Sequence, residues 1–244
     1  MSNGNENYIE INLPSKCLVY KDIDPTKIKL RTLKGKDEKL IAELNLDNFE
    51  KRVLILLRSI LQGIDPTQLT SGDRLYIMVW EGINSYSKNY EMEGICGECF
   101  QKITVPVDLS QLEVTYLPDN FKEPYQVKLS DGGTVNLKLF RVEDEIKIAD
   151  YEKGSDSSWL YRFALSIVDD SKGIWDKVSY LENLPAKDVA TIRAFHEKFA
   201  HGPKLETKYT CPKCGGEGVM PIPFRLQMFF PYGETLTRSF GNGI

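Results

Sequence analysis

The chain has 244 residues, enough to bury a substantial core as one large domain or two small ones. Its composition, 41% hydrophobic and 27% charged, is ordinary for a soluble globular protein. A formal net charge of −4, from 31 basic and 35 acidic side chains, provides no global pull toward nucleic acid or an anionic membrane.

The chain opens on a polar run, Met1-Ser-Asn-Gly-Asn-Glu-Asn, without the basic start and apolar stretch of a secretory signal, so export is not expected. From Tyr8 to about Leu33, partial alternation (Ile9, Ile11, Leu13; Ile28, Leu30) with Pro14 and Pro25 predicts short extended pieces or an arm, residues 1–33. A helical segment, 34–89, follows. Leu40, Ile41 and Leu44 mark one helix, and Phe49, Val53, Leu56, Leu57 and Ile60 a longer one stopped by Gly63 and Pro66. A third opens on an acidic capping box, Thr70-Ser-Gly-Asp73, and carries Leu75, Met78, Ile83 and Tyr86 on one side. The apolar run Val53-Leu-Ile-Leu-Leu57 is flanked by Arg52 and Arg58. It falls far short of the roughly 20 residues that span a bilayer, and no membrane association is expected.

Residues 90–140 predict a β-rich segment holding the first Cys-x-x-Cys knuckle, with Tyr90 and Met92 before it and Ile103, Val105 and Val107 after it. Val114, Tyr116 and Leu117 predict a short strand. Tyr125, Val127 and Leu129, the turn Ser130-Asp131-Gly132-Gly133, and Val135, Leu137 and Leu139 predict a hairpin. A second helical segment, 141–203, contains helices over about 143–152, 157–170 and 173–184, and a fourth opening at Pro185 and ended by Gly202-Pro203. Residues 204–244 hold the second knuckle and a C-terminal arm. The reading is an α+β protein: helical blocks flank a β-rich region with two zinc-ribbon-like knuckles, integrated as one domain from 34 to 232.

The knuckles are Cys96-Gly-Glu-Cys99 and Cys211-Pro-Lys-Cys214, separated by 111 residues. Four thiolates from two tight turns suit one structural zinc, because zinc takes four sulfurs in a tetrahedron. Gly97 and Gly215 are residues that such turns use. The separation far exceeds that of a compact zinc ribbon, so a shared ion requires tertiary proximity. Metal-free turns are the competing reading. A redox pair would need a Cys-x-x-Cys opening a helix, whereas both pairs here precede strand-like sequence. A mixed site recruiting His196 or His201 stays open, although both lie near a helix end where surface roles are commoner. The fifth cysteine, Cys17, reads as a buried free thiol.

No dinucleotide loop, Walker motif, nucleophile elbow or His-Glu-x-x-His pair is present. Asp169-Asp170 and Glu143-Asp144-Glu145 could in principle hold a carboxylate hydrolase site, but helix ends and solvated faces explain them more simply. The basic run Lys27, Lys29, Arg31, Lys34, Lys36, Lys39 is interrupted by apolar and acidic residues and resembles a strand with one charged face. The C-terminal aromatics, Phe224 and Phe229-Phe230-Pro231-Tyr232, must bury against something, either the protein's own helices or a neighbouring subunit.

The string Tyr209-Thr-Cys211-Pro-Lys-Cys214-Gly-Gly-Glu, leading through Ile222-Pro-Phe224 to Phe229-Phe230-Pro231, is similar to the C-terminal signature of the T-even-type phage baseplate protein family. Members of that family are hub or hub-assembly components of contractile tails. Leu61-Gln-Gly-Ile-Asp65, the helix from Leu75 to Trp80, Cys96 and Cys99, and the helices around Trp159 and Trp175 follow in the order the resemblance calls for. It implies a non-enzymatic structural or assembly protein of the baseplate, located in the virion tail or in the host cytoplasm during assembly. Its partners would be other tail proteins, with no substrate and no nucleic acid. A zinc-ribbon nucleic-acid-binding regulator is the alternative that the knuckles alone would allow.

Overall fold

The computed structural model describes residues 7–42, 48–152 and 159–223. Leu44, Ser157, Phe224 and the run from Phe229 to Tyr232, all used above, lie outside the described residues. The architecture is mixed α+β, with helices and several small antiparallel sheets.

The first sheet joins β1 (Ile9–Glu10), β2 (Lys29–Leu30) and β3 (Leu61–Gln62), with Leu30 paired to Ile9 on one side and Leu61 on the other. The segment read as short extended pieces or an arm holds the short strands β1 and β2 and supplies core: Ile11, Leu13, Cys17, Tyr20, Ile28 and Leu30 are all buried in the main apolar cluster. The prolines that argued for an arm sit between short pieces that cross this core. Helix α1 (Gly35–Ala42) follows, then α2 (Phe49–Ile60), whose Val53, Leu56, Leu57 and Ile60 recur at three- and four-residue spacing and are buried as one stripe.

Arg31, read as part of a basic run, lies inside the protein. Its guanidinium grips Asp37 with two bonds, 2.7 and 3.1 Å, and both side chains are about 1% exposed. Asp37 also accepts from Ser59 Oγ at 2.9 Å and the Lys34 N–H at 2.9 Å, so one carboxylate ties the end of β2 to α1 and α2. The spacing that suggested a charged strand face is therefore a strand end followed by a helix start.

Helix α3 (Ser71–Ser85) begins as expected, with Thr70 Oγ1 accepting from the Asp73 N–H at 3.2 Å. The reciprocal half of the capping box is absent. Asp73 turns inward to accept from the Ser15 N–H at 2.8 Å and from the Tyr20 hydroxyl, and that hydroxyl accepts the Thr70 N–H at 2.9 Å. A tyrosine completes this cap because residues 15–20 cover the helix start. The buried face of α3 holds Ile77, Met78, Val79 and Gly82, and also Glu81, while Leu75, Ile83 and Tyr86 pack at its margin. Glu81 accepts from Ser85 Oγ at 2.8 Å, its other oxygen has no hydrogen-bond partner among the described residues, and burial raises its pKa from 4.5 to about 7.

Strands β4 (Asn89–Ile95) and β5 (Lys102–Asp108) form a long hairpin with Asn89 opposite Asp108 and Ile95 opposite Lys102. Strand β6 (Val114–Thr115) comes next, then the hairpin of β7 (Tyr125–Lys128) and β8 (Thr134–Leu137), with Gly132 at φ 88° in its turn. Helices α4 (Val142–Glu152), α5 (Trp159–Ser166), α6 (Ile174–Asn183) and α7 (Ala186–Lys198) follow. The β7–β8 hairpin packs on α5, α6 and α7 through Val127, Val135, Leu137, Ala164, Leu181, Ile192 and Phe195, a second apolar cluster. Strand β9 (Gly202–Pro203) pairs with β6, and β10 (Glu206–Thr210) with β11 (Glu217–Pro221) forms the last hairpin. Among the described residues, no helix is long and apolar enough to cross a membrane.

Candidate metal centre

The tips of the β4–β5 and β10–β11 hairpins are built alike. In the first, the Cys96 N–H donates to Gln101 O at 3.0 Å and the Phe100 N–H to Cys96 O at 3.0 Å. In the second, the Cys211 N–H donates to Gly216 O at 2.8 Å and the Gly215 N–H to Cys211 O at 2.9 Å. The residue after the second cysteine therefore holds the same place in both turns, and it is left-handed in both: Gly215 at φ 76°, Phe100 at φ 56°. Glycine takes that conformation freely, as expected of Gly215. In the first turn the role assigned to Gly97 belongs to Phe100, a residue 76% exposed. Gly97 serves differently, its N–H donating to the Tyr209 hydroxyl of the other hairpin at 2.9 Å.

The two tips meet. The Sγ atoms of Cys96, Cys99, Cys211 and Cys214 all lie within 4.8 Å of one another. The cross-hairpin pairs Cys96–Cys214 and Cys99–Cys211 are each 3.8 Å apart. Four sulfurs at about 2.3 Å from a central ion in a regular tetrahedron would stand about 3.8 Å apart, so the donor set and its spacing fit a tetrahedral thiolate cage. Ile103, Val105 and Met220 close over Cys96 and Cys211 in a third, small apolar cluster. Met220 lies against Gly94 so closely that a Cβ there would overlap its sulfur.

The electrostatics suit a cation. Backbone N–H groups of Cys99 and Glu98 aimed at the Cys96 sulfur, with hydrogen bonds from neighbouring sulfurs, lower its pKa from 9.0 to about 6. Cys214 moves the other way. The Gly216 N–H favours its thiolate, but the hydrogen bond with Cys211, desolvation and the bonds with Cys99 and Cys96 raise its pKa to about 12. Four sulfurs this close do not all ionise alone, and a divalent ion is the charge that would let them.

Neither histidine joins this group. His201 lies at the start of α3, with Nε2 2.6 Å from Thr70 Oγ1 and Nδ1 3.0 Å from Phe199 O. His196 stacks on Phe140, ring centroids 4.1 Å apart, and burial first, then Arg162 and Lys138, lower its pKa from 6.5 to about 3. Surface or dipole roles are commoner at a helix end, but both are half-buried residues whose rings pack inward, because β9 folds back over α3 and the end of α7 packs on the Phe140 ring. Cys17 is a free, buried thiol whose pKa burial raises to about 11.

The acidic clusters have structural work. Asp169 accepts from Ser171 Oγ at 2.6 Å and pairs with Lys172 at 3.2 Å. Asp144 holds Lys138 and the Arg141 N–H, and Glu145 pairs with Arg74 at 2.8 Å. Tyr209, read in the sequence as the entry to the second knuckle, also links the hairpins, a role not assigned to it there. Its signal was its place two residues before Cys211, on the same strand face.

A family model described as T4 bacteriophage base plate protein matches residues 7–231, most of the chain. No curated protein and no solved structure matches it.

Proposed function

The chain belongs to the T4 bacteriophage base plate protein family, and from that premise we propose that it is a hub or hub-assembly component of a contractile tail with one structural zinc ion held by Cys96, Cys99, Cys211 and Cys214. The family's setting is the virion tail, and its work there is structural. The observation that carries the zinc reading is the convergence of four sulfurs from two hairpins, with a spacing that suits a tetrahedral thiolate ion. Such an ion has no open coordination position, so it supplies rigidity and not reactivity. Hub placement, assembly in the host cytoplasm, and the absence of nucleic acid and substrate from the partner list belong to the same proposal. The inward-facing Arg31 breaks the basic run that a phosphate-binding surface would use.

Two measurements test it. Elemental analysis of purified protein is expected to return close to one equivalent of zinc; less than about half, with four freely titrating thiols, refutes the metal assignment. Mixing with tail proteins of the same phage is expected to give complexes without DNA, whereas salt-dependent binding to DNA and no such complexes would favour the regulator.

A further inference from the structure

A cavity of about 250 Å³ opens beside the start of α3, lined by Ser71, Leu75, Phe140, Arg162, His196 and Phe199 among others. It is distant in chemistry from the knuckles, and two of its polar atoms lack protein hydrogen-bond partners among the described residues. Ser71 Oγ and His196 Nε2 are buried atoms without a hydrogen-bond partner among the described residues. Arg162, exposed at the rim, lines the same cavity; its charge is felt by the Glu50 carboxylate, and its guanidinium lies over the Phe140 ring, 5.0 Å from the centroid. Buried polar atoms normally find a hydrogen-bond partner, from protein or from water, so two of them on one cavity make a place where a polar group could be received. Thr70 and His201, which also line it, already satisfy each other at 2.6 Å.

The chemistry of that group follows from the donors. Arg162 offers a fixed positive charge, Ser71 an O–H, and His196 the single N–H of a neutral ring. The ring stays neutral because burial, Arg162 and Lys138 disfavour its imidazolium. A carboxylate would accept from all three while its alkyl stem rests on Leu75, Phe140 and Phe199. The volume lies below the roughly 300 Å³ at which small-molecule sites begin, and so suits one side chain better than a cofactor. We propose that this cavity is a socket for an acidic side chain presented by a neighbouring tail protein. The partner class rests on the baseplate reading, whereas the carboxylate chemistry rests on the cavity alone.

The test uses the full-length zinc-loaded protein and N-acetyl-glutamate N-methylamide, with the blocked glutamine analogue as control, followed by nuclear magnetic resonance of the Arg162 and His196 side chains. Saturable shifts with a dissociation constant on the order of 1 to 10 mM are expected for glutamate, the range for a ligand of this size. Glutamine should not saturate. Arg162→Gln should weaken binding on the order of 10-fold or more, and Arg162→Lys by less. His196→Phe keeps the stack on Phe140 and removes only the donor, so it should also weaken binding. Arg162 is exposed, so its variants should keep the circular dichroism and zinc content of the parent. No saturable shift with glutamate, equal binding of glutamine, or affinity unchanged in Arg162→Gln would each overturn the socket. Any of these with zinc content intact leaves the structural role standing.

Discussion

Removing the proposed zinc ion should open one part of this protein and spare the rest. The β10–β11 hairpin, from Glu206 to Pro221, is held by few apolar groups. Fixing its backbone costs at least about 16 kcal/mol at about 1 kcal/mol per residue. Complete burial of Ile103, Val105 and Met220 returns only about 5–9 kcal/mol. The shortfall is comparable to the roughly 10–16 kcal/mol that four-ligand zinc sites supply at neutral pH. The main cluster, by contrast, contains Val53, Leu57, Ile77 and many others and does not involve the sulfurs. Stripping zinc with a chelator, or replacing Cys211 by Ser, is therefore expected to abolish hydrogen-exchange protection over Thr207–Tyr209 and in the knuckle half of β4–β5. Helices α2, α3 and α7 should keep their protection and the helical circular dichroism should change little. Protection surviving in the hairpin without metal would refute the energetic argument; so would global unfolding, which would mean that the cores depend on the ion.

Asp37→Ala should cost about 3–5 kcal/mol in urea denaturation, because it removes the carboxylate that balances the buried Arg31 guanidinium; a loss below about 1 kcal/mol would show that the pair is solvated. Glu81 gives a pH signature whose sign is opposite to that of an ion-paired carboxylate. Its folded pKa of about 7 exceeds the unfolded 4.5, so the folded state holds the proton more tightly, and stability falls as pH rises from about 4.5 to 7. The total is on the order of 3 kcal/mol; Glu81→Gln should be more stable than the parent by roughly that amount at pH 8 and equal to it near pH 4, and parallel curves would exclude the assignment. His196 opposes this, since its lowered pKa makes stability fall as pH drops from 6.5 toward 3, so His196→Phe should steepen the decline seen between pH 4.5 and 6.5. Gly72→Ala would gain about 1 kcal/mol of helix propensity on an open helix, but a Cβ here would overlap the His201 carbonyl. It should instead destabilise by about 1–3 kcal/mol, read as a lowered urea midpoint; a raised midpoint would mean that α3 and β9 are not in contact.

What the sequence disclosed follows the range of the forces involved. The Thr70 cap, the α2 stripe and the turn at Gly132-Gly133 depend on neighbours a few residues away, and each is found where it was read. The convergence of the cysteine pairs was legible only as a requirement, since spacing could not bring residues 99 and 211 together. The unread parts are tertiary. Arg31 looked like one cation in a series until Asp37 and Ser59 were seen to enclose it. His196 looked like a helix-end residue, whereas the Phe140, Phe163 and Phe195 rings that surround it come from three separate places in the chain. Phe100 breaks the glycine rule that Gly215 obeys in the matching turn, and no local pattern announces a left-handed phenylalanine.

The long separation between the knuckles looks like an obstacle to a shared metal, yet it is a small one. Loop-closure entropy grows as the logarithm of length, so closing 111 residues costs only about 2 kcal/mol more than closing the 15 or so of a compact ribbon. Even that overstates the cost, because the intervening chain is packed into two apolar clusters that do not include the four knuckle sulfurs. The β10–β11 hairpin is also tethered at its base, where Ile222 is buried in the main cluster and its N–H donates to Leu205 O at 2.8 Å. A hairpin fixed at its base alone can swing; a hairpin fixed at both ends cannot. The thiolates supply the second point of attachment, opposite the first, so their contribution is to orientation. They set the outward faces of two hairpins, with Ile95, Phe100 and Val219 exposed on them, in one fixed relation. The proposed zinc ion, in a closed four-sulfur shell, would provide that fixed relation without an open coordination position.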